Sequence, residues 1–148
     1  MPLGKPARAQ IMKWQKAGTA GLCEIKETNV GGEEGKYLLA FPYKGKKVDL
    51  VINFAIGFPA KVPAMYFTTK MWHTGVDEKS GAICVAAITP WDTQTGPQKL
   101  VEHVVKILAQ PETCVDSKVN AAACTEFTAN KGAYEEKAKS YVDQHGHA

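Results

Sequence analysis

The feature that most constrains this chain is a change of hydrophobic period along its length. Val48, Leu50, Ile52 and Phe54 fall on every second position, with Asp49, Val51 and Asn53 between them. Successive side chains of a strand point to opposite faces, so this run predicts a strand with one face in a core. After Trp91 the spacing becomes helical: Leu100, Val104, Ile107 and Leu108 form one stripe that ends before Pro111. A chain patterned this way builds a sheet from its first part and covers it with helices from its second.

The remaining elements follow from local signals. Ile11, Met12 and Trp14 among polar neighbours predict an amphipathic helix from about Ala7 to Ala17, ended by Gly18. Cys23 to Thr28 and Lys36 to Phe41 are β-like runs, and Asn29-Val30-Gly31-Gly32 between them suits the positive φ angles of a hairpin connection. Pro59 and Pro63 cannot donate to a central ladder and predict a bend before a further strand, Ala64 to Thr68. Thr95-Gly96-Pro97-Gln98 reads as a helix start with a Thr-to-Gln capping pair. Beyond Pro111, Asp116 or Ser117 is expected to cap a helix through Val119, Ala123 and Phe127, and a last helix presents Tyr134, Ala138 and Tyr141. The class is α+β: an N-terminal helix, a four-stranded antiparallel meander, a loop, a long helix and two C-terminal helices, in a single domain over residues 1–148.

Composition removes several function classes. A chain of 148 residues that is 45% hydrophobic buries a sizeable core without disulfides or metal. Its opening, MPLGKPAR, has no apolar leader, and the apolar stretch from Leu50 to Phe58 is broken by Asn53 and Gly57. The expectation is a soluble intracellular protein with no membrane partner. Four cysteines, Cys23, Cys84, Cys114 and Cys124, include no C-x-x-C pair, so free thiols are expected and neither a disulfide framework nor a zinc site. The charge of +3 comes from dispersed basic residues, which argues against nucleic acid. Lys5, Arg8, Lys13 and Lys16 cluster near the first helix, as a solvated face or one that meets an acidic protein. The tail His145-Gly146-His147-Ala148 has two histidines and no third ligand, so it is read as a frayed terminus and no metal is expected.

The run PYKGKKVDLVINFAIGFPAKVPAMYFTTKMWH, Pro42 to His73, followed by VDEKSGAIC, Val76 to Cys84, resembles the ubiquitin-conjugating enzyme family. It is similar in the Pro-Tyr turn, the strand ending in Phe, the proline bend, the strand leading to a histidine, and the loop closing in Gly-x-Ile-Cys. An ungapped register puts Ile83 at the cysteine position. Keeping Gly81, Ile83 and Cys84 together instead assigns the extra residue to the loop. The resemblance continues through Trp91, the crossover helix Leu100 to Leu108, and Asn120-Ala121-Ala122, Asn130 and Tyr134.

The resemblance implies that Cys84 carries ubiquitin as a thioester in an active-site loop supported by His73, Thr74, Gly75, Asp77, Trp91 and Asp116. Asp77 or Asp116 would orient the incoming lysine, unless Asp116 is only a helix cap. His73 would brace the loop. The family's His-Pro-Asn triplet reads His73-Thr74-Gly75 here, so backbone N–H groups, Thr74 or a neighbour would take over from the absent asparagine amide. Lys5, Arg8 and Ala60 would face the activating enzyme or ligase, with ubiquitin or a ubiquitin-like protein and protein substrates as the other partners. No cofactor is implied, and the compartment is cytoplasmic or nuclear. Two alternatives stand beside this reading: a weak or inactive variant that binds ubiquitin or a partner, and an enzyme for another ubiquitin-like modifier. Cys23, Cys114 and Cys124 are read as small packing residues, and Trp14, Trp72 and Trp91 as core or loop-bracing aromatics.

Overall fold

The structure is a computed structural model that describes residues 4–55 and 57–148. Ile56, within the apolar run from Leu50 to Phe58, and the first three residues of the MPLGKPAR opening lie outside them. The first helix, α1 (Lys5–Ala17), starts two residues earlier than the apolar pattern suggested, because Pro6 is suited to a first turn that needs no N–H. Ala7, Ile11 and Trp14 line its buried face, and Gly18, at φ 86°, closes it by donating to the Trp14 carbonyl.

Four strands follow: β1 (Glu24–Glu27), β2 (Lys36–Tyr43), β3 (Lys46–Asn53) and β4 (Ala64–Phe67), in the spatial order β1-β2-β3-β4 and all antiparallel. This is the expected meander. β2 and β3 pair over eight positions from Lys36↔Asn53 to Tyr43↔Lys46. Lys44 and Gly45 between them both take positive φ, 48° and 86°, which matches the right-handed twist of the flanking strands. The connection from β1 to β2 is longer than a tight hairpin: Asn29 sits at φ 51° and its side-chain oxygen accepts from the Gly35 N–H.

Val48, Leu50, Ile52 and Phe54 are all buried, joining Leu39, Phe41, Met65 and Phe67 on the core face. Helix α2 (Pro97–Ala109) lays Leu100, Val104, Ile107 and Leu108 into the same core. Trp14 packs edge-on against Tyr37 and Phe54, at centroid distances of 5.6 and 6.0 Å. Helices α3 (Ala121–Ala129) and α4 (Lys131–His145) meet at Asn130 and form a second apolar cluster with Trp72, Ala123, Tyr134 and Ala138.

Three terminal signals resolve differently from their sequence reading. The Thr95-to-Gln98 capping pair does not form: Gly96 is the cap, while the Gln98 amide accepts from the Trp14 indole and donates to the Thr19 carbonyl. Asn120, not Asp116 or Ser117, caps α3 by accepting from the Ala123 N–H, since it is the residue three positions before that orphan donor. The tail is not frayed. His147 exchanges both backbone hydrogen bonds with Lys47, on the part of β3 that β4 leaves unpaired, and its ring reaches the Asp49 carboxylate at 2.7 Å.

Candidate functional site

The chain between β4 and α2 builds the site. Val76 bridges to His73 on one side and Ile83 on the other, folding residues 73–84 back on themselves. Gly81 closes this turn at φ 77°, and any Cβ there collides with the Phe67 backbone, whose N–H donates to the Gly81 carbonyl. The Asp77 carboxylate accepts from the Lys79 and Ser80 N–H groups and the Ser80 hydroxyl, and these bonds, the Ser80 N–H foremost, hold its pKa below the usual carboxylate value. Asp77 is thus the anchor of its own turn.

Cys84 lies at the end of this loop and is only 3% exposed. Both its backbone groups are fixed: its N–H donates to the Gly75 carbonyl at 2.7 Å, and its carbonyl is 2.8 Å from Nε2 of His103 on α2. Sequence reasoning missed His103, which is buried on the apolar stripe of α2 with no motif to mark it. Burial lowers its pKa, so the ring is a neutral donor to that carbonyl.

The triplet His73-Thr74-Gly75 is stitched to three other segments. The Thr74 hydroxyl donates to the Pro111 carbonyl at 2.6 Å, in the short turn Pro111–Cys114 after α2. The Thr74 N–H donates to the Tyr134 hydroxyl of α4, and the Cys124 thiol of α3 donates to the Thr74 carbonyl. His73 is fully buried, its Nδ1 accepting from the Gly75 N–H at 2.9 Å. That leaves the proton on Nε2, which has no close-geometry partner but points toward the Ile107 and Leu108 carbonyls. Burial pushes the His73 pKa down to about 4, so the ring is neutral near pH 7.

Gly75 is the centre of a thiol cluster. A Cβ at this position would lie 2.7 Å from Sγ of Cys114, 3.1 Å from its Cβ and 3.3 Å from Cβ of Cys84. The space that a side chain at Gly75 needs is therefore filled by Cys114. Burial raises the Cys114 pKa to about 11, opposed by the Thr113 hydroxyl and reinforced by the Cys84 and Cys124 thiols. Asp116 is exposed on the turn before α3, where its charge acts on Cys124.

The other expected site residues lie apart from the cysteines. Trp91 donates its indole N–H to the Pro59 carbonyl at 2.8 Å and packs on Phe58, bracing the loop that exposes Ala60. Lys5 and Arg8 are exposed on α1, and Arg8 pairs with Glu34 at 2.9 Å. Among the described residues, no group of three or more His, Cys, Asp or Glu side chains can hold a metal ion, and no helix is long and apolar enough to cross a membrane.

Residues 33–142 match the family model described as ubiquitin-conjugating enzyme. Among curated proteins, the chain is 29% identical over 137 residues to ubiquitin-conjugating enzyme E2 T of Danio rerio, covering 89% of this chain and 65% of that protein. It is 24% identical over 119 residues to ubiquitin conjugating enzyme E2 B of Dictyostelium discoideum, covering 80% and 76%. The chain thus spans just under two thirds of the zebrafish relative's length. A solved E2 domain of a Toxoplasma gondii ubiquitin conjugating enzyme superposes with a TM-score of 0.76 at 19% identity, over 94% of this chain and 98% of that one, a likeness of fold.

Proposed function

The chain belongs to the ubiquitin-conjugating enzyme family, and from that premise we propose that it accepts ubiquitin from an activating enzyme as a thioester on Cys84 and passes it to a ligase or a substrate lysine. The observation that carries this reading is the fixation of Cys84 by Gly75 and His103 at the end of a loop braced through Thr74. In the first step the Cys84 sulfur attacks the carbonyl carbon of the activating enzyme's ubiquitin thioester, and the activating enzyme's thiol leaves. In the second a deprotonated amine attacks the new thioester, and the Cys84 thiol leaves. With Cys84 so little exposed, its surroundings must yield to admit the ubiquitin C-terminus.

The second step has limited help. The Thr74 hydroxyl is committed to Pro111, the Gly75 N–H to His73 and the Cys84 N–H to Gly75. Lacking one oxyanion donor costs about 3 kcal/mol, or roughly a hundredfold in rate. Charging is therefore expected to outpace discharge to free lysine. The same commitment of donors favours a second reading, a fold that binds ubiquitin or a partner without efficient transfer. On either reading the partners are ubiquitin or a ubiquitin-like protein, an activating enzyme and a ligase, in the cytoplasm or nucleus, and the protein acts as one domain.

The test is charging with ubiquitin, activating enzyme and ATP on a non-reducing gel beside Cys84→Ser. A reducible band lost in the variant supports the transferase. No band from folded protein, with ubiquitin and with other modifiers and their activating enzymes, supports the binder.

A further inference from the structure

Among the described residues, Cys84, Cys114 and Cys124 form one buried group, although 30 residues separate the first from the second. Cys84 and Cys114 root on the same side of Gly75, each with its Cβ within 3.3 Å of where a glycine-replacing Cβ would stand. The Cys114 sulfur itself stands 2.7 Å from that same point, so both side chains pack on the one glycine. The Cys124 thiol is turned elsewhere, donating to the carbonyls of Thr74 and Cys114 at 3.5 and 3.6 Å. Cys114 sits in the short turn Pro111–Cys114, not inside an α-helix, so a small shift of its Cβ does not break a helical ladder. Disulfides need Cβ atoms roughly 3.5–4.5 Å apart, a spacing two side chains packed on one glycine can reach.

We propose that Cys84 and Cys114 are a modification site: a peroxide joins them in a reversible intramolecular disulfide. The Cys84 sulfur attacks one oxygen of hydrogen peroxide, giving a sulfenic acid and one water. The Cys114 thiol then attacks the Cys84 sulfur, and its proton leaves with the departing hydroxyl as the second water. Two thiols are oxidised by two electrons and the peroxide is reduced to two waters. Cys84 takes the first step because it is the less deeply buried of the two, 3% exposed against 1% for Cys114, which leaves Cys114 as the resolving partner. Gly75 is what makes the pairing available, since a Cβ there would lie 2.7 Å from the Cys114 sulfur and displace it. The bridge stands without the thioester reading. Its consequence, loss of ubiquitin charging until a thiol reductant restores Cys84, rests on that reading.

The test uses the whole chain, treated with hydrogen peroxide, blocked with N-ethylmaleimide, digested with trypsin without reduction and measured by mass spectrometry. Lys26, Lys79, Lys99, Lys106 and Lys118 put the four cysteines on four different peptides. The expected product is a linked pair carrying Cys84 and Cys114, with the loss of two titratable thiols per chain. The linked pair should persist in Cys124→Ser, which keeps the test independent of whether Cys114→Ser folds, and vanish in Cys84→Ser. A Cys84–Cys124 or Cys114–Cys124 bridge, Cys84 oxidised to a sulfinic acid beside a free Cys114, or four unchanged thiols overturns the proposal. A parallel charging assay, run after reductant is removed, separates the two readings. Reduced protein that never charges defeats the transferase reading while the peptide map still decides the bridge.

Discussion

The Thr74 hydroxyl donates to the Pro111 carbonyl at 2.6 Å, tying the loop that ends at Cys84 to the turn that follows α2. Thr74 is fully buried, and its N–H and carbonyl are also bonded, to Tyr134 and Cys124. One side chain thus joins the loop to the helical half of the protein where the family's triplet has a proline.

Thr74→Val keeps the shape and removes the donor, leaving the Pro111 carbonyl without it. We expect a loss of about 1–2 kcal/mol in stability. Urea denaturation should show it, and amide exchange should rise at residues 73–77 and 111–114. An unchanged midpoint would mean the bond contributes nothing net.

Restoring the family's asparagine alone should fail. Gly75→Asn drives a side chain into Cys114, at an overpacking cost of about 1–3 kcal/mol. Paired with Cys114→Gly it should recover stability and speed discharge to lysine relative to wild type. The comparison is a double-mutant cycle read in both midpoint and discharge rate. Additive effects would show that the two positions do not compete for space.

Acid stability should depend on His73. Its pKa is near 4 in the fold and about 6.5 in the unfolded chain. Between those values the unfolded state binds the extra proton, so stability is complete above about pH 6.5 and falls as pH drops toward 4. The shift corresponds to about 3 kcal/mol across that window. His103, also lowered by burial, adds in the same direction. His73→Gln should flatten the fall in denaturation midpoint between pH 7 and 4.5, and a variant with the wild-type slope would refute the assignment.

His103→Leu removes the ring that meets the Cys84 carbonyl at 2.8 Å while keeping an apolar side chain on α2. The expected result is a slower charging rate with thermal stability lowered by about 1–2 kcal/mol. His103→Gln, which retains a donor of similar reach, should restore much of the rate. Equal charging by all three proteins would exclude a positioning role.

Much of the fold was legible in the sequence, for an identifiable reason. The alternation from Val48 to Phe54 and the helical stripe from Leu100 to Leu108 are imposed by burial on one face, and burial selects residue type at each position. Caps were read less well. The Thr95 and Gln98 signal was locally sound, yet Gln98 is drawn off by Trp14, 84 positions away, a partner no local rule contains. The tail failed for the same reason, since the stretch of β3 that β4 leaves unpaired, which receives His147, exists only once the sheet has formed.

The sequence by itself determined the family, the order of elements and the Gly-x-Ile-Cys ending at Cys84, because these are carried by contiguous residues with strong local preferences. Only the tertiary structure decided that Thr74 braces Pro111, that His103 holds the Cys84 backbone, and that Cys114 fills the space beside Gly75. Those relations join positions 37, 19 and 39 residues apart. They depend on where the packed core brings each backbone, and a hydroxyl, an imidazole or a thiol carries no local mark of the partner it will meet.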